Sequence, residues 1–408
     1  MVPKLRFSFT SALLPHKLGV LTKWSSGGTP SKDNKSYWDG DISWFTAASM
    51  KDNELSVSPT KISDLGLANG SRLANKSDIL LLVRGSMLFN KIPVGVLLND
   101  AAFNQDVKAI KCLEKFNHRF ALQWLLSKES HLLSMVTGTG IGAGKLDTSE
   151  LQNLDVYLPD YVEQSKIADF LSSVDEKIKL LNKQYYLLCQ YKKGMMQKIF
   201  SQEVRFKDNN GRSFPKWTMK IFSDFFTIGS SKRVLQGDWV NEGVPFYRTR
   251  ELVSLSRKEK FKSEIFITED NYTYLKAKYG VPAVGDFLVS GVGTLGIIHQ
   301  VKNGNPFYFK DGNVLWFKKN NEISSDFFYH VFNSQKVLTQ IVDHAAITTV
   351  GTYTIEKAKK TKFMCPSLEE QTKIANLLSS MDDKIAFKKA ELDKLKTWKQ
   401  GLLQQMFI

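Results

Sequence analysis

The sequence LPDYVEQSKIADFLSSVDEKI, Leu158–Ile178, returns 207 residues later as CPSLEEQTKIANLLSSMDDKI, Cys365–Ile385. No gap separates the copies, and between Pro159 and Phe200 seventeen of 42 positions are identical to their partners. The matches include Glu163/Glu370, Gln164/Gln371, Ala168/Ala375, Asp175/Asp382 and Gly194/Gly401. Apolar residues recur at steps of four and three. The first copy has Ile167, Leu171, Val174, Ile178, Leu181, Tyr185 and Leu188, then Met195 and Ile199 after an interruption at Lys192. The second has Ile374, Leu378, Met381, Ile385, Leu392, Leu395, Leu402 and Met406, interrupted at Lys388 and Lys399. A seam held over about five heptads is the signature of a coiled coil. Pro159 and Pro366 stand just ahead of each run, where a helix start tolerates proline. At 1.5 Å per residue, a helix of about 38 residues is ~57 Å long. Two matching seams in one chain predict helices that pack on each other; two helices packed on separate domains are the other arrangement the pattern allows. Direction is left open. An antiparallel pair would give the chain an internal pseudo-twofold axis.

The blocks ahead of the helices echo one another more faintly. LRF at Leu5–Phe7 answers VRF at Val204–Phe206, and GDISWFT at Gly40–Thr46 answers GVPFYRT at Gly243–Thr249. SDILLLV at Ser77–Val83 answers GDFLVSGVG at Gly285–Gly293. Each block closes on a Gly/Thr-rich loop, TGTGIGAG at Thr137–Gly144 and TTVGTYT at Thr348–Thr354. Short β-type runs punctuated by Gly, Asn and Asp predict strands, while His118–Met135 and Ser324–Val342 predict helices. The expected fold class is therefore mixed α+β (α/β). Two globular domains, 1–157 and 204–364, are each followed by a long helix, 158–203 and 365–408, and the helices pair as a coiled coil.

The 408 residues carry 56 Lys+Arg against 41 Asp+Glu, a net charge of +15. Residues 202–366 hold 24 of the basic and 16 of the acidic side chains, so +8 of the excess lies in the second body rather than in a basic tail. A basic pI of about 9.4 with a folded composition points toward an acidic partner such as nucleic acid. Cys112, Cys189 and Cys365 are far apart and odd in number, forming no zinc or disulfide framework. No apolar run approaches the ~18 residues of a membrane span, and the first residues lack a signal-peptide h-region. A cytoplasmic setting is expected.

This layout resembles the DNA specificity (S) subunit of type I restriction–modification systems. GGTPSKDNKSYWDGDISWFT, Gly27–Thr46, is similar to the opening of that family's target recognition domain. The pattern P-x-x-x-E-Q-x-x-I-A, at Pro159–Ala168 and Pro366–Ala375, is similar to the start of its two repeated helical regions. GDFLVSGVGTLG at Gly285–Gly296 is also typical, whereas GSSKRVLQGDW, Gly229–Trp239, departs from the first domain's opening. The resemblance covers essentially the whole chain. It implies a sequence-specific DNA-binding subunit in which each recognition domain reads one half of a bipartite target. The paired helices would set the spacing and dock two modification (methyltransferase) subunits, which restriction (translocase/nuclease) subunits would join. S-adenosylmethionine, ATP and Mg2+ are expected on those partners and no cofactor on this chain.

Half-sites read from one face of a duplex lie ~34 Å or a multiple apart, a spacing that stiff helices can hold. Phosphate contacts position such a protein and base contacts specify its target. Candidate DNA contacts are Lys32, Lys35, Arg72, Arg84 and Lys145 in the first domain. In the second they are Lys232, Arg233, Arg248, Arg250, Arg257 and Lys258, with Arg248 and Arg250 two apart on an expected strand and so on one face. The helix interface is expected at Ile167, Leu171, Val174, Ile178, Leu181 and Leu188, facing Ile374, Leu378, Met381, Ile385, Leu392 and Leu395.

Catalytic patterns are weak. Gly291, Gly293 and Gly296 spell G-x-G-x-x-G, but the β-type IIHQVKNGNP follows where a dinucleotide fold needs a helix. The glycines of Thr137–Gly144 have no G-K-[ST], and this loop reads as a mobile connection. The six histidines have no metal-ligand spacing, so no metal site is expected. The chain is expected not to be an enzyme. A coiled-coil DNA-binding scaffold without sequence readout is the alternative, and a self-contained DNA methyltransferase a third possibility.

Overall fold

In a computed structural model of the chain, the described residues are 3–7, 13–140, 142–257, 259–310, 312–345 and 351–407. They form two units, Met1–Lys183 with Lys389–Ile408, and Gln184–Lys388. This division differs from four consecutive blocks: the end of the second long helix belongs with the first body, and the end of the first helix with the second.

In the first unit, the run at Ile79–Leu82 is apolar at every position and every side chain is buried, as a strand covered on both faces requires. It is central to a five-stranded sheet ordered Thr22–Ser26, Val107–Cys112, Ile79–Leu82, Val94–Leu97, Glu54–Leu55. The sheet is antiparallel except for its last pair. A second sheet sets Ile42–Phe45 parallel to Ala101–Phe103, flanked by Lys61–Ile62 and Leu73–Ala74. Helix His118–Ser127 buries Phe120, Leu122, Trp124 and Leu125, and the Asn117 side chain caps it by accepting from Arg119 N and Phe120 N. The expected helix to Met135 is broken at Lys128 and resumes at Glu129–Ser134.

The second unit repeats this plan with a phenylalanine-rich core. Its antiparallel sheet runs Phe226–Gly229, Val314–Lys319, Phe287–Ser290, Ile298–Gln300. Phe226, Phe287 and Phe317 on these strands pack with Phe328, the Phe226 and Phe328 centroids lying 4.3 Å apart. Val244–Tyr247 runs parallel to Tyr308–Phe309, as Ile42–Phe45 does to Ala101–Phe103. The glycines at Gly291–Gly296 lie in the turn of an antiparallel hairpin between Phe287–Ser290 and Ile298–Gln300. The expected helix Ser324–Val342 divides at Asn333–Ser334 into Ser325–Phe332 and Gln335–Ala345.

Each body is joined to the helix behind it by a two-stranded sheet, Leu14–Lys17 with Asp155–Leu158 in one case and Thr218–Ile221 with Lys362–Cys365 in the other. The long helices span Tyr161–Phe200 and Leu368–Met406. Their early seam residues do not face another helix alone. Ile167, Leu171 and Val174 enter the first unit's core together with Leu402, Leu403, Met406 and Phe407. Ile374 and Leu378 enter the second core together with Ile199 and Phe200. Leu181 and Leu392 are buried; Ile178, Leu188, Met381, Ile385 and Leu395 are only half-buried. Within the first unit, Leu5 N donates to the Gln405 carbonyl while its neighbour Arg6 forks onto Glu163, and further along Asp175 meets Lys399. Numbers rise along one helix as they fall along the other, so the segments are antiparallel. The second unit repeats the direction, with Lys192 on Asp382 and Ile199 beside Ile374 in the core.

Candidate nucleic-acid interface

In the first unit, the candidate interface begins at two glycines. A side chain on Gly27 would place its Cβ 2.1 Å from the Phe103 carbonyl oxygen, and one on Gly28 would come within 2.3 Å of the Gly70 carbonyl oxygen. Only glycine lets the loop cross the sheet end this closely. Beyond it, Trp44 Nε1 donates to the Gly28 carbonyl at 3.1 Å and Trp38 Nε1 to the Ser31 carbonyl at 3.0 Å. The two indoles meet edge to face at 5.1 Å. They wall a groove of about 770 Å³ rimmed by Lys32 and Lys35, with Thr29, Thr46, Asn104 and Gln105 supplying hydroxyl and amide groups. Thr29 Oγ1 donates to Gln105 Oε1 at 2.6 Å, which turns the amide's donor end away from this contact.

Arg72 is exposed, two residues beyond Gly70, in the segment that packs against Gly28 and Pro30. Arg84 and Lys145 are exposed cross-strand partners. Their sheet includes Thr137–Gly138, so the glycine loop expected to be a mobile connection starts and ends in paired strands, although Ile141 is outside the described residues. Arg84 N donates to the Asp106 carbonyl at 3.2 Å, and Asp106 Oδ2 accepts from Asn104 Nδ2 at 3.1 Å. The turn Asn104–Asp106 thus connects the groove to the Arg84/Lys145 pair.

In the second unit, Ser231 Oγ donates to the Phe309 carbonyl at 2.7 Å, where Gly28 N donates to that of Phe103. Lys232 beside it places Nζ 5.7 Å from the Tyr279 ring centroid, on the rim of a cavity of about 250 Å³ walled by Tyr279, Tyr308 and Trp316. Arg233 and Arg257 are exposed. Lys258 lies outside the described residues.

Arg248 and Arg250 do not share a strand. The strand ends at Tyr247 and a helix occupies Thr249–Arg257, with Glu251 in its first turn. Glu251 is 3% exposed. It takes Arg248 as a fork, Nε at 3.0 Å and Nη2 at 2.6 Å, and also accepts from Arg248 N at 2.9 Å and Arg250 Nε at 2.7 Å. Burial raises the Glu251 pKa, but the hydrogen bonds from Arg248 and then Arg250 outweigh it and hold this carboxyl below the ordinary range. In the first unit, Ser49 Oγ takes the place of that carboxylate, accepting from Thr46 N.

The helix starts are anchored twice over. Arg6 forks onto Glu163, which is 1% exposed, and Arg205 onto Glu370, fully buried, which also accepts from Trp217 Nε1 at 3.0 Å. Gln164 Oε1 accepts from Asn117 N and Gln371 Oε1 from Ser324 N. The seam lysines pair with the other helix: Lys399 with Asp175, Lys192 with Asp382, each at 2.6 Å. Beside these pairs stand Gln123, donating to Asp175, and at the matching position His330, whose pKa burial lowers to about 4 with help from Lys192.

A family profile described as the type I restriction modification DNA specificity domain matches the chain twice, at residues 16–188 and 215–397. The chain belongs to this family. Each matched specificity domain takes in one body and most of the helix behind it, so the 207-residue repeat and the family's unit coincide. The chain is 27% identical over 353 residues to the type I restriction enzyme MjaVIII specificity subunit of Methanocaldococcus jannaschii, covering 83% of this chain and 80% of that one. It is 28% identical over 160 residues to the EcoR124I/EcoR124II specificity subunit of Escherichia coli, 39% of this chain and 40% of the relative. In fold it matches the type I S subunit from M. genitalium with a TM-score of 0.61 at 18% identity, covering 100% and 99% of the two chains. This specificity subunit recognises DNA by sequence within a type I restriction–modification system, so DNA and the other subunits of that system are its partners. Among its described residues no helix is long and apolar enough to cross a membrane.

Several residues of the candidate interface and of the helix anchors escaped sequence reading. Trp38 and Trp44 gave no signal beyond the opening motif, and Asn104 lies outside it. Glu251 belongs to no motif that the sequence displays. Arg6 and Arg205 stood in the noted LRF/VRF echo, but nothing local to those triplets says that their partners lie 157 and 165 residues away.

Proposed function

We propose that the two specificity domains divide the reading of a bipartite DNA target, one half to each, and that the paired helix segments fix the separation and dock the modification subunits. The observation that carries this is the duplicated architecture: two bodies with the same sheet plan, each anchored to its helix by an Arg–Glu fork and a glutamine bridge at the same repeat positions. A symmetric docking surface is supported by exposed apolar side chains at matched positions. Leu180 and Tyr191 on the first helix are 54% and 59% exposed; Phe387 and Trp398, each 207 residues on, are 67% and 49% exposed. Apolar groups of this size left in water mark interaction sites.

The rims of Lys32 and Lys35, of Arg84 and Lys145, and of Lys232 and Arg233 supply phosphate contacts, with groove amides and hydroxyls for base edges. Methyl transfer and cleavage fall to partner subunits that carry S-adenosylmethionine, ATP and Mg2+, in the cytoplasm with the DNA; this chain contributes address rather than chemistry. The test is adenine methylation mapped in cells that express the chain with its modification subunit, then with residues 1–157 replaced by another member's domain. A split motif that depends on the chain is expected, and the exchange is expected to alter one half only. Changes in both halves refute the division of labour. Methylation independent of the chain refutes the whole reading and favours a scaffold.

A further inference from the structure

The second body contains a side chain whose donors are aimed before any ligand arrives. Arg250 is 55% exposed at its side chain, yet one edge of its guanidinium is held: Nε donates to Glu251 and Nη2 to Ser263 Oγ. Among the described residues nothing else hydrogen-bonds to it. The remaining end of the group, carried by Nη1 and Nη2, presents two parallel N–H donors. Glu251 is in turn fixed, because Arg248 forks onto it and stacks on Trp239 with its central carbon 5.5 Å from the ring. One buried carboxylate therefore serves two guanidiniums and leaves a net charge of +1 on a rigid support.

We propose that Arg250 is a specificity-determining residue of the second domain, reading a guanine through N7 and O6, and that Glu251 is its positioning residue. This rests on the reading of the chain as a DNA specificity subunit with one half-target per domain. A guanidinium end donating two parallel bonds matches the acceptor pair of guanine, the commonest specific contact in the major groove. A phosphate contact needs charge more than direction, and a carboxylate that cancels half of the local charge works against it. A base edge needs direction, which the Glu251 and Ser263 contacts provide.

The experiment maps adenine methylation in cells carrying the modification subunit with the wild-type chain, R250A, R250K or E251Q. The purified complexes then compete for the wild-type target and for a duplex altered at one pair. With R250A, a single G·C position in one half-motif is expected to become degenerate while the other half is unchanged. The preference for that pair is expected to fall by about 5- to 150-fold, the equivalent of one lost bidentate base contact. R250K keeps the charge without the fork and is expected to leave the position degenerate. E251Q is expected to relax the same pair. An unchanged motif in R250A, a uniform loss across all sequences, or discrimination restored by R250K each overturns the proposal, and relaxation at a different pair in E251Q overturns the positioning role. A wild-type methylation pattern that does not depend on this chain refutes the underlying reading instead, so the two failures are distinct. Arg250 is exposed, so its variants test the idea even if E251Q does not fold.

Discussion

Glu370 is fully buried, and three donors on two side chains hold it: Nε and Nη2 of Arg205 and Nε1 of Trp217. Removing Arg205 leaves the Glu370 carboxyl group in the core with only the indole as donor. R205A is expected to lower the unfolding free energy by about 3–5 kcal/mol, the cost of breaking a buried pair from one side, as urea denaturation of the chain would measure. Glu251 makes a prediction of opposite exposure to pH. Its folded pKa is depressed, chiefly by hydrogen bonds that overcome burial, while an unfolded glutamate titrates near ~4.3. Its contribution to stability is therefore fully present above that value and lost as pH falls through the lower folded one. Unfolding free energy followed from pH 5 down to pH 3, about this window, should drop less steeply in E251Q than in the wild type. An equal slope would show that folding leaves the pKa of this carboxyl where it stands in the unfolded chain.

At the scale of elements, the sequence shows the long helices plainly because a 3-4 repeat over 40 residues has no other stable reading. It also shows the strands Ile79–Leu82 and Phe287–Ser290, whose apolar runs are too short for helices. What it conceals is where breaks fall. Lys128 divides one expected helix and Asn333–Ser334 another, with no proline to announce either. The helix at Thr249–Arg257 is hidden for a different reason: the β-type residues before it set an alternation that Arg248 and Arg250 appear in the sequence to continue, and only the buried Glu251 turns the chain. Lys192 and Lys399, read as interruptions of the seam, each meet an aspartate on the other helix. A double-mutant cycle on Lys192 and Asp382 is expected to give a coupling of about 0.5–3 kcal/mol in thermal or urea unfolding. A coupling near zero would mean the two charges are independently solvated.

For the whole molecule, a net charge of +15 makes DNA affinity a function of salt. The logarithm of the affinity of the assembled complex should fall linearly with the logarithm of salt concentration, and K32A should lower that slope by about 1 without changing the preferred sequence. A changed preference would move Lys32 from phosphate to base contact. Most of the architecture was legible at this scale because the chain is duplicated, and a duplicated pattern exposes itself by comparison with itself. The recognition surface was legible only as a set of basic residues. Which of them are held depends on partners such as Glu251, brought in by folding from a position with no marked pattern of its own.

The forks at the helix starts have a consequence for how such a chain can change. Glu163 and Gln164 at one start, and Glu370 and Gln371 at the other, ask the same things of whatever body precedes them: an arginine from its opening residues and a backbone N–H at a helix cap. The demand is met by Arg6 and Asn117 in one case and by Arg205 and Ser324 in the other, in bodies whose cores and loops otherwise differ. The helix starts act as interchangeable sockets. A new body that brings those two groups, and an apolar face for the seam residues that enter its core, can be seated without a compensating change in the helix, so the part that meets DNA is free to vary while the part that seats it stays fixed.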